Sequence, residues 1–328
     1  MKTTDKVKEI YSSANDNIYF NSEGLCIRDV TLELGVGEEI MIGQLSDIHF
    51  NYCNEQDFSE ADPVVMSTYE YREWNRGATT VPKTRKCLEF LDDADFLVIN
   101  GDTMDYLSYG AMELMKKEIW DKHPDCIATI GGHESACRMQ GKVDETTTLE
   151  ERIQKVQSVW NHDVYYVSKL VKDKVLIVGF YDNQAACPEI VYKKLKEDID
   201  LAREKGYKIL LFAHEPLVTG DPKHSNITAD FVLQQGDISG FPKDFYNGSS
   251  RGSRILGGEG CDETSMAVYN LIVNNADVIK GMFAGHFHND MYMEIIAKTS
   301  DGKATVIPQY IHTATAYDKG HLMRILIK

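Results

Sequence analysis

Short apolar runs recur along the chain, and five of them lead directly into a loop that carries Asp or His. Such runs are typical of buried β-strands. The ends of strands along one edge of an α/β sheet share a cleft, so we expect the five loops to converge. These loops begin at Ser46, Gly101, Gly131, His214 and Gly285.

The remaining apolar and polar pattern predicts the other elements of an α/β fold. Apolar and alternating segments predict strands, and amphipathic segments predict helices. Two of the helices are expected to start at a proline, which the first turn of a helix accepts. Besides the strand before Asp47, the predicted strands are 25–34, 95–100, 126–130, 164–170, 175–180, 207–213, 278–283, 291–297, 304–311 and 322–327. The predicted helices are 82–91, 111–121, 149–160, 188–205 and 263–274.

Two stretches show no regular period. Residues 51–80 are polar and rich in aromatic side chains, and residues 217–262 are rich in Gly, Ser, Asp and Pro. Long irregular segments inside a compact domain are usually functional loops or caps. We therefore predict a single domain over residues 1–328, with inserts at 51–80 and 217–262 that shape the substrate site.

Composition narrows the classes of function. The chain is 43% hydrophobic and 26% charged, as in soluble globular proteins. Its formal net charge of -16 argues against a surface for nucleic acid or for anionic membranes. The seven cysteines form no Cys-x-x-Cys pair, which argues against a zinc ribbon or a disulfide framework. No secretory signal or transmembrane run is apparent, so we expect a cytoplasmic protein that is not in a membrane.

The loop after the first of the five strands carries Asp47 and His49. Side chains two residues apart just past a strand end point the same way, so both can bind one metal ion. An isolated Asp-x-His is a common chance occurrence, and each loop alone is better read as a cap, a turn or a core histidine. Together the five loops hold half of the ten histidines in the chain, which makes chance a poor explanation.

The ordered set of these loops resembles the calcineurin-like metallophosphoesterase superfamily over residues 40 to 290. It consists of Asp47-x-His49, Gly101-Asp102, Gly131-Gly132-His133-Glu134, His214 and Gly285-His286-Phe287-His288. The resemblance implies a two-sheet β-sandwich flanked by helices, with a dinuclear metal site at the strand ends. It also implies a metal-dependent phosphoesterase that hydrolyses a small-molecule phosphomonoester or phosphodiester by attack of a metal-bridging hydroxide.

The resemblance also implies a role for each matching residue. One ion would be bound by Asp47, His49 and His288, the second by His214 and His286, and Asp102 would bridge the two ions. Mixed imidazole and carboxylate ligands favour divalent Mn, Fe, Zn or Ni.

A histidine and a carboxylate complete the chemistry that the resemblance implies. His133 would protonate or stabilise the leaving oxygen, and Asp105 would orient His133 by fixing its tautomer. For Asp105, a role as a loop-capping residue is an equal alternative.

Gly132 departs from the family pattern. The family usually has Asn here, and its side chain binds the second ion, whereas glycine has none. Three accounts compete: water or a substrate oxygen fills the position, the second ion binds weakly, or the chain has lost catalysis and retained the fold. The alternative function is therefore an impaired or inactive member that binds a ligand or partner. Protein-phosphatase activity is disfavoured because an acidic chain lacks a basic anchor for phosphopeptides.

Further residues are candidates for binding the substrate. Arg72 and Arg254 lie in the two inserts, and an arginine guanidinium can form two parallel hydrogen bonds with a phosphate. Solvated surface arginines are the simpler interpretation. Asn183 and His312 follow strands, where a turn residue and a plain strand-end histidine are the simpler interpretations.

Overall fold

The computed structural model describes residues 15–73, 77–183, 186–220, 256–258 and 261–328. They divide into two compact units. The first unit comprises Asn15–Val167, Gly285–Asn289 and His312–Lys328. The second unit comprises the described parts of Ser168–Ala284, together with Asp290–Ile311. Within the described residues, no helix combines the length and the apolar character needed to cross a bilayer.

Strands and helices alternate through most of the described sequence. The strands are β1 (Asp16–Phe20), β2 (Cys26–Leu32), β3 (Ile40–Leu45), β4 (Phe96–Asn100), β5 (Ile127–Thr129), β6 (Arg138–Met139), β7 (Lys142–Val143), β8 (Tyr166–Val171), β9 (Val175–Phe180), β10 (Lys208–Phe212), β11 (Ile279–Ala284), β12 (Met291–Lys298), β13 (Ala304–Ile311) and β14 (His321–Ile327). The helices are α1 (Glu55–Glu60), α2 (Pro63–Tyr71), α3 (Gly77–Phe90), α4 (Tyr109–Met115), α5 (Gly132–Ser135), α6 (Leu149–Gln157), α7 (Glu189–Lys205) and α8 (Glu263–Val273), and a π-helical turn, Lys116–Trp120, follows α4.

The sheet of the first unit has the strand order β1-β2-β14-β3-β4-β5. Strands β3, β4 and β5 are parallel, so their carboxyl ends lie along one edge of the sheet. Ile42 and Val98 are fully buried, as expected for strands covered on both faces. The loops after β3, β4 and β5 therefore emerge side by side.

The sheet of the second unit has the order β12-β13-β11-β10-β9-β8. Strands β9, β10, β11 and β13 are parallel, and β12 is antiparallel to β13. Helix α7 begins after Pro188, as predicted, and Gly206 ends it in a left-handed conformation that glycine adopts without strain. The predicted fold class is confirmed: the chain is mixed α/β, with two large sheets and flanking helices.

Residues 51–80 differ from their prediction as an irregular insert. They contain α1, α2 and the start of α3, and Asp62 caps α2 by accepting the N–H groups of Val64 and Val65. Helix α3 begins at Gly77, so the prediction that Pro82 opens it was wrong. Proline inside a helix removes one backbone hydrogen bond and crowds the carbonyl four residues earlier, and burial of Val81 and Leu88 in the core opposes that cost. Most of the second predicted insert, 217–262, lies outside the described residues.

Candidate metal centre

Backbone hydrogen bonds join the loop after β3 to the loop after β4. The N–H of Asp47 donates to the carbonyl of Gly101 at 3.0 Å, and the N–H of His49 donates to the carbonyl of Asp102 at 2.9 Å. The two loops therefore stay hydrogen-bonded to each other beyond the strand ends, although not in the regular register of the strands. These bonds bring Asp47, His49 and Asp102 together at one edge of the sheet.

Three predicted ligands of the first ion converge in the first unit. His288 Nε2 lies 3.0 Å from Asp47 Oδ1 and 3.1 Å from His49 Nε2. His49 Nε2 lies 3.9 Å from Asp47 Oδ1. Ligand atoms each about 2.1 Å from one transition-metal ion would be spaced roughly 3.0–3.6 Å apart. Both distances from His288 Nε2 lie in this range, and the 3.9 Å between His49 Nε2 and Asp47 Oδ1 is slightly wider. The three residues therefore form a candidate ligand set for a single ion.

The Nδ1 atoms of both imidazoles have partners. His49 Nδ1 lies 3.0 Å from the carboxylate of Asp105, which only accepts hydrogen bonds, so Nδ1 carries the proton and Nε2 carries a lone pair. His288 Nδ1 lies 2.7 Å from the hydroxyl of Tyr317, which can donate or accept, so this contact orients the ring of His288. Burial lowers the pKa of His49 to about 4, which keeps its ring neutral. One carboxylate oxygen and two imidazole nitrogens are ligand atoms that a divalent transition-metal ion accepts, so the donor set fits such an ion.

The second carboxylate oxygen of Asp47 is used to hold the loop. Asp47 Oδ2 accepts the hydroxyl of Ser46 and, at 3.1 Å, the backbone N–H of His286. A Cβ at Gly285 would collide with Ser46 Oγ and Asp47 Oδ2. The glycine before His286 is therefore required for this close approach.

The predicted ligands of the second ion are divided between the units. In the first unit, a carboxylate oxygen of Asp102 and a ring nitrogen of His286 lie within 4.8 Å of each other. His214 follows β10 in the second unit and is fully buried. Its assignment to the second ion stays a prediction.

The backbone is left-handed at five of the predicted ligands. The φ angles are 51° at Asp47, 54° at His49, 46° at Asp102, 68° at His286 and 55° at His288. Among the described non-glycine residues, only ten have positive φ. Such conformations are uncommon outside glycine and concentrate at functional sites, because the surrounding structure must enforce them.

His133 is the second residue of α5, the short helix after β5, and its Nδ1 contacts Asp105. The distance is 2.7 Å to the backbone carbonyl of Asp105 and 3.3 Å to its carboxylate Oδ1. A carbonyl only accepts hydrogen bonds, so Nδ1 carries the proton and Nε2 is the atom that exchanges one. Burial lowers the pKa of His133, but the carboxylates of Asp102 and Asp105 outweigh burial and raise it.

Asp105 is fully buried and contacts three cationic or potentially cationic groups. Besides His49 and His133, it contacts Arg72, whose Nε lies 2.8 Å from both carboxylate oxygens. Burial alone would raise the pKa of this carboxyl, yet the two histidines and Arg72 hold it well below its usual range. Arg72, predicted as a possible phosphate ligand, therefore pairs with a carboxylate of the protein.

The structure places the remaining predicted residues as follows. Gly132 is the first residue of α5, and no described atom lies within 4 Å of a Cβ built on it. Asn183 follows β9 in the second unit and is buried beside Asp182, whose pKa is raised by burial and by the neighbouring Glu215 carboxylate. His312 follows β13 and is buried, and Arg254 lies outside the described residues.

Two supporting residues were not predicted from the sequence. Tyr317 contacts His288 from 29 residues away, and a tyrosine in a carboxyl-terminal loop gives no signal of that contact. Glu134 accepts the N–H of Met104 at 2.9 Å and the N–H of Gly131 at 2.8 Å. Glu134 thus ties the loop after β4 to the loop after β5, and its place beside His133 is the signal that could have identified it.

Comparison with known proteins identifies the class of this fold and site. The family model for the calcineurin-like phosphoesterase matches residues 40–290, so the chain belongs to this family. The family consists of metal-dependent phosphoester hydrolases. No curated protein sequence matches the chain.

Comparison with solved structures finds distant matches to phosphatases and nucleotidases. A putative 5'-nucleotidase from Staphylococcus aureus is 12% identical, with a TM-score of 0.36, and the match covers 84% of this chain and 55% of the other. Purple acid phosphatase PPD1 from yellow lupin is 11% identical, with a TM-score of 0.44, covering 92% and 46%. A dimetal phosphatase from Danio rerio is 11% identical, with a TM-score of 0.39, covering 84% and 87%. The chain therefore spans about half the length of the first two proteins.

Proposed function

We propose that this protein is a metal-dependent hydrolase of a small-molecule phosphomonoester or phosphodiester. The observation that carries the proposal is the convergence of Asp47 Oδ1, His49 Nε2 and His288 Nε2 within 3.9 Å of one another. His133 belongs to the same unit and contacts Asp105, which also contacts His49. A metal site and a proton-transfer group are thus linked through one carboxylate.

Each residue has a distinct task in this proposal. Asp47, His49 and His288 hold one ion, and Asp102, His286 and His214 are the proposed ligands of a second. Divalent Mn, Fe, Zn or Ni suits these ligands, and such an ion, when bound, supplies positive charge that activates water and stabilises the charge on phosphate.

His133 is the proposed catalytic acid. Its Nδ1–H donates to the Asp105 carbonyl, which fixes the ring and leaves Nε2 to deliver a proton to the departing oxygen. The Asp105 carboxylate stabilises the protonated imidazole. Proton delivery matters most when the leaving alcohol is a poor one.

Chromogenic aryl phosphates, as both monoesters and diesters, provide the direct test. Purified protein supplied with Mn should release the phenol, and an Asp102→Ala/His214→Ala double variant should not. Arg85→Gln, which breaks an ion pair with Glu118 in the first unit, is the matched control. Equal rates for the wild type and the double variant with every metal and substrate would refute the proposal.

A second candidate function is binding without catalysis, and Gly132 favours it because a side-chain ligand of the family is absent. Metal analysis of protein purified without chelator separates the two functions. Two tightly bound transition-metal ions per chain support the hydrolase, and none supports the binding module.

Restoring the ligand with Gly132→Asn gives a further prediction. No described atom lies within 4 Å of the new Cβ, so the side chain has room. Exposed Gly→Asn changes within helices alter stability by only a few tenths of a kcal/mol, so folding should be kept. We expect more bound metal and higher activity than in the wild type. A fall in activity would mean that Gly132 belongs to an adapted site.

A further inference from the structure

We infer that Arg72 is a positioning residue that holds the Asp105 carboxylate in place between His49 and His133. The inference rests on the proposed function for its catalytic consequence, but not for its structural content. The sequence-based expectation that Arg72 binds substrate phosphate stays a prediction, and the two roles give different kinetics.

The contact between Arg72 and Asp105 is buried and closely matched. Arg72 Nε lies 2.8 Å from both oxygens of Asp105. The Asp105 side chain is fully buried, and that of Arg72 is only 15% exposed. A carboxylate removed from water in this way requires a cation and hydrogen-bond donors. Arg72 supplies both through its guanidinium.

The backbone of Arg72 is itself fixed in position. Arg72 is the residue that ends α2, and its N–H donates to the Thr68 carbonyl at 2.9 Å. Its carbonyl accepts the side-chain amide of Asn51 at 2.9 Å, and Asn51 in turn accepts the hydroxyl of Tyr106 at 2.6 Å. Tyr106 is the neighbour of Asp105. The arginine and the carboxylate are therefore connected through both side chains and backbone.

The other end of α2 is also anchored. Asp62 caps the helix and contacts Arg152 Nη2 at 3.3 Å, and the same nitrogen contacts Asp144. Arg152 is buried in α6, which lies beyond the β6–β7 hairpin in sequence. Helix α2 is thus held at both ends, and Arg72 approaches Asp105 from a rigid element.

Asp105 transmits this position to two histidines. Its Oδ1 lies 3.0 Å from His49 Nδ1 and 3.3 Å from His133 Nδ1. Rotation of the carboxylate would loosen both contacts, and the Arg72 guanidinium opposes that rotation by holding both oxygens. Arg72 therefore supports the proposed catalytic acid, His133, and one proposed ligand of the first ion, His49, and it acts on both through Asp105.

Kinetics with two kinds of leaving group test the inference, using Arg72→Gln and the control Arg85→Gln. Losing the support of a metal ligand or catalytic group typically costs about 10–100-fold. Assays at saturating Mn remove any effect of weaker metal binding through His49. Under these conditions we expect kcat of Arg72→Gln to fall by about that factor for an alkyl phosphate, but by less than about threefold for p-nitrophenyl phosphate, whose leaving group needs no proton. KM should stay within about threefold, because uniform binding is unchanged.

A double variant sharpens the test. If Arg72 acts through His133, adding Arg72→Gln to His133→Ala should cause little further loss for the alkyl phosphate. A rise in KM, with the same loss for both leaving groups and independent of His133, would instead make Arg72 a phosphate ligand and overturn the inference. Wild-type kinetics in Arg72→Gln would overturn it as well.

A spectroscopic readout separates this inference from the proposed function. In the metal-free, ¹⁵N-histidine-labelled protein, the Nδ1–H protons of His49 and His133 should be slowly exchanging and observable by NMR. Arg72→Gln should broaden or remove these signals, Arg72→Lys should preserve them in part because it keeps the charge, and Arg85→Gln should leave them unchanged. Signals that persist in both Arg72 variants would overturn the inference even in an active enzyme. If the wild type hydrolyses no phosphate ester but the signals respond as expected, the positioning role stands and the proposed function fails.

If Arg72→Gln does not fold, Arg72→Lys carries both experiments. Lysine keeps the charge but loses the planar guanidinium whose Nε contacts both oxygens of Asp105. We then expect a smaller fall in alkyl-phosphate kcat, about 3–10-fold, with the same dependence on the leaving group. A loss in Arg72→Lys that is equal for both leaving groups would contradict the inference.

Discussion

Replacing Tyr317 with Phe is the cleanest perturbation of the first metal position. The Tyr317 hydroxyl lies 2.7 Å from His288 Nδ1, and the two rings pack edge to face with centroids 5.1 Å apart. Phenylalanine keeps the ring contact and removes only the hydroxyl. The substitution therefore isolates the hydrogen bond that orients the His288 imidazole.

The structure sets the size of the expected effect. A hydrogen bond between neutral groups contributes about 0.5–1.5 kcal/mol net. The His288 side chain is 21% exposed, so water can partly replace the lost hydroxyl, and a value of about 1 kcal/mol is appropriate. This corresponds to an affinity for the first ion about fivefold weaker. The contact of His49 with the Asp105 carboxylate is buried and charge-assisted, so its loss should cost more.

Competition against a chromogenic chelator measures this affinity directly, with Mn or Zn and without any substrate. The control is Tyr269→Phe, which removes a hydroxyl that donates to the Val218 carbonyl at 3.1 Å in the second unit. We expect about a fivefold increase in Kd for Tyr317→Phe and no change for Tyr269→Phe. If the Kd for the tightest ion changes by less than about twofold in Tyr317→Phe, Tyr317 does not orient a metal ligand, and the assignment of His288 loses its support.

Three further predictions concern metal, charge and packing. Dialysis against a chelator should abolish phosphatase activity. It should also lower the free energy of unfolding by about 2.7 kcal/mol relative to protein with metal at 100 times its Kd, which chemical denaturation with and without added Mn measures. Glu118 is buried between Arg85 and Lys122, and its hydrogen bond with Arg85 is the main reason that its pKa falls to about 2. Because the pKa of Glu118 in the folded state is below the unfolded value of about 4.5, its stabilisation is full above pH 4.5 and is lost as the pH falls toward 2. Glu118→Gln should therefore lower the free energy of unfolding by about 1–2 kcal/mol at pH 7. In a titration of stability against pH, the variant should also show a weaker dependence on pH in the acid range. The adjacent glycines Gly131 and Gly132 should respond differently to substitution by alanine. Gly131→Ala places a Cβ against Asp102 and should destabilise the fold by about 1–3 kcal/mol, whereas Gly132→Ala should change thermal stability little. Equal thermal stability of the two variants would contradict this explanation.

The apolar runs predicted the strands because a buried strand must be apolar whatever its partners are. Each observed strand that was predicted with bounds begins and ends within two residues of its prediction. The order of those strands within the sheets could not be read from the same signal. Pairing depends on contacts between residues far apart in sequence, such as β14 inserted between β2 and β3.

Short helices were the main omission in the fold. Helix α1 spans six residues and α2 nine, too few for a clear amphipathic period. Their signals were local instead: Asn54 forms a capping box with Asp57, and Asp62 precedes a proline at the first helical position. These caps were visible in the sequence and outweigh the absence of a period.

For the candidate site, the sequence predicted which residues carry the chemistry but not how they are held. The spacing of Asp47 and His49 follows from the geometry of a strand end. The contact of Arg72 with Asp105 depends on where α2 ends in space, 33 residues earlier in the chain. Supporting contacts of this kind are set by tertiary packing, so they require the structure.

The left-handed backbone at the predicted ligands connects metal binding with stability. For residues other than glycine this conformation costs on the order of 1 kcal/mol each. Five such residues lie in the three loops that follow β3, β4 and β11, where Gly285 also permits a close backbone approach that no Cβ would allow. Interactions within the site must offset that cost, and a cation bound by Asp47, His49 and His288 would add to those interactions. Metal removal should therefore loosen these three loops before the sheets, with hydrogen exchange rising first at the N–H groups of Asp47 and His49. If metal removal instead raises hydrogen exchange uniformly across both sheets, the backbone strain is not confined to these loops.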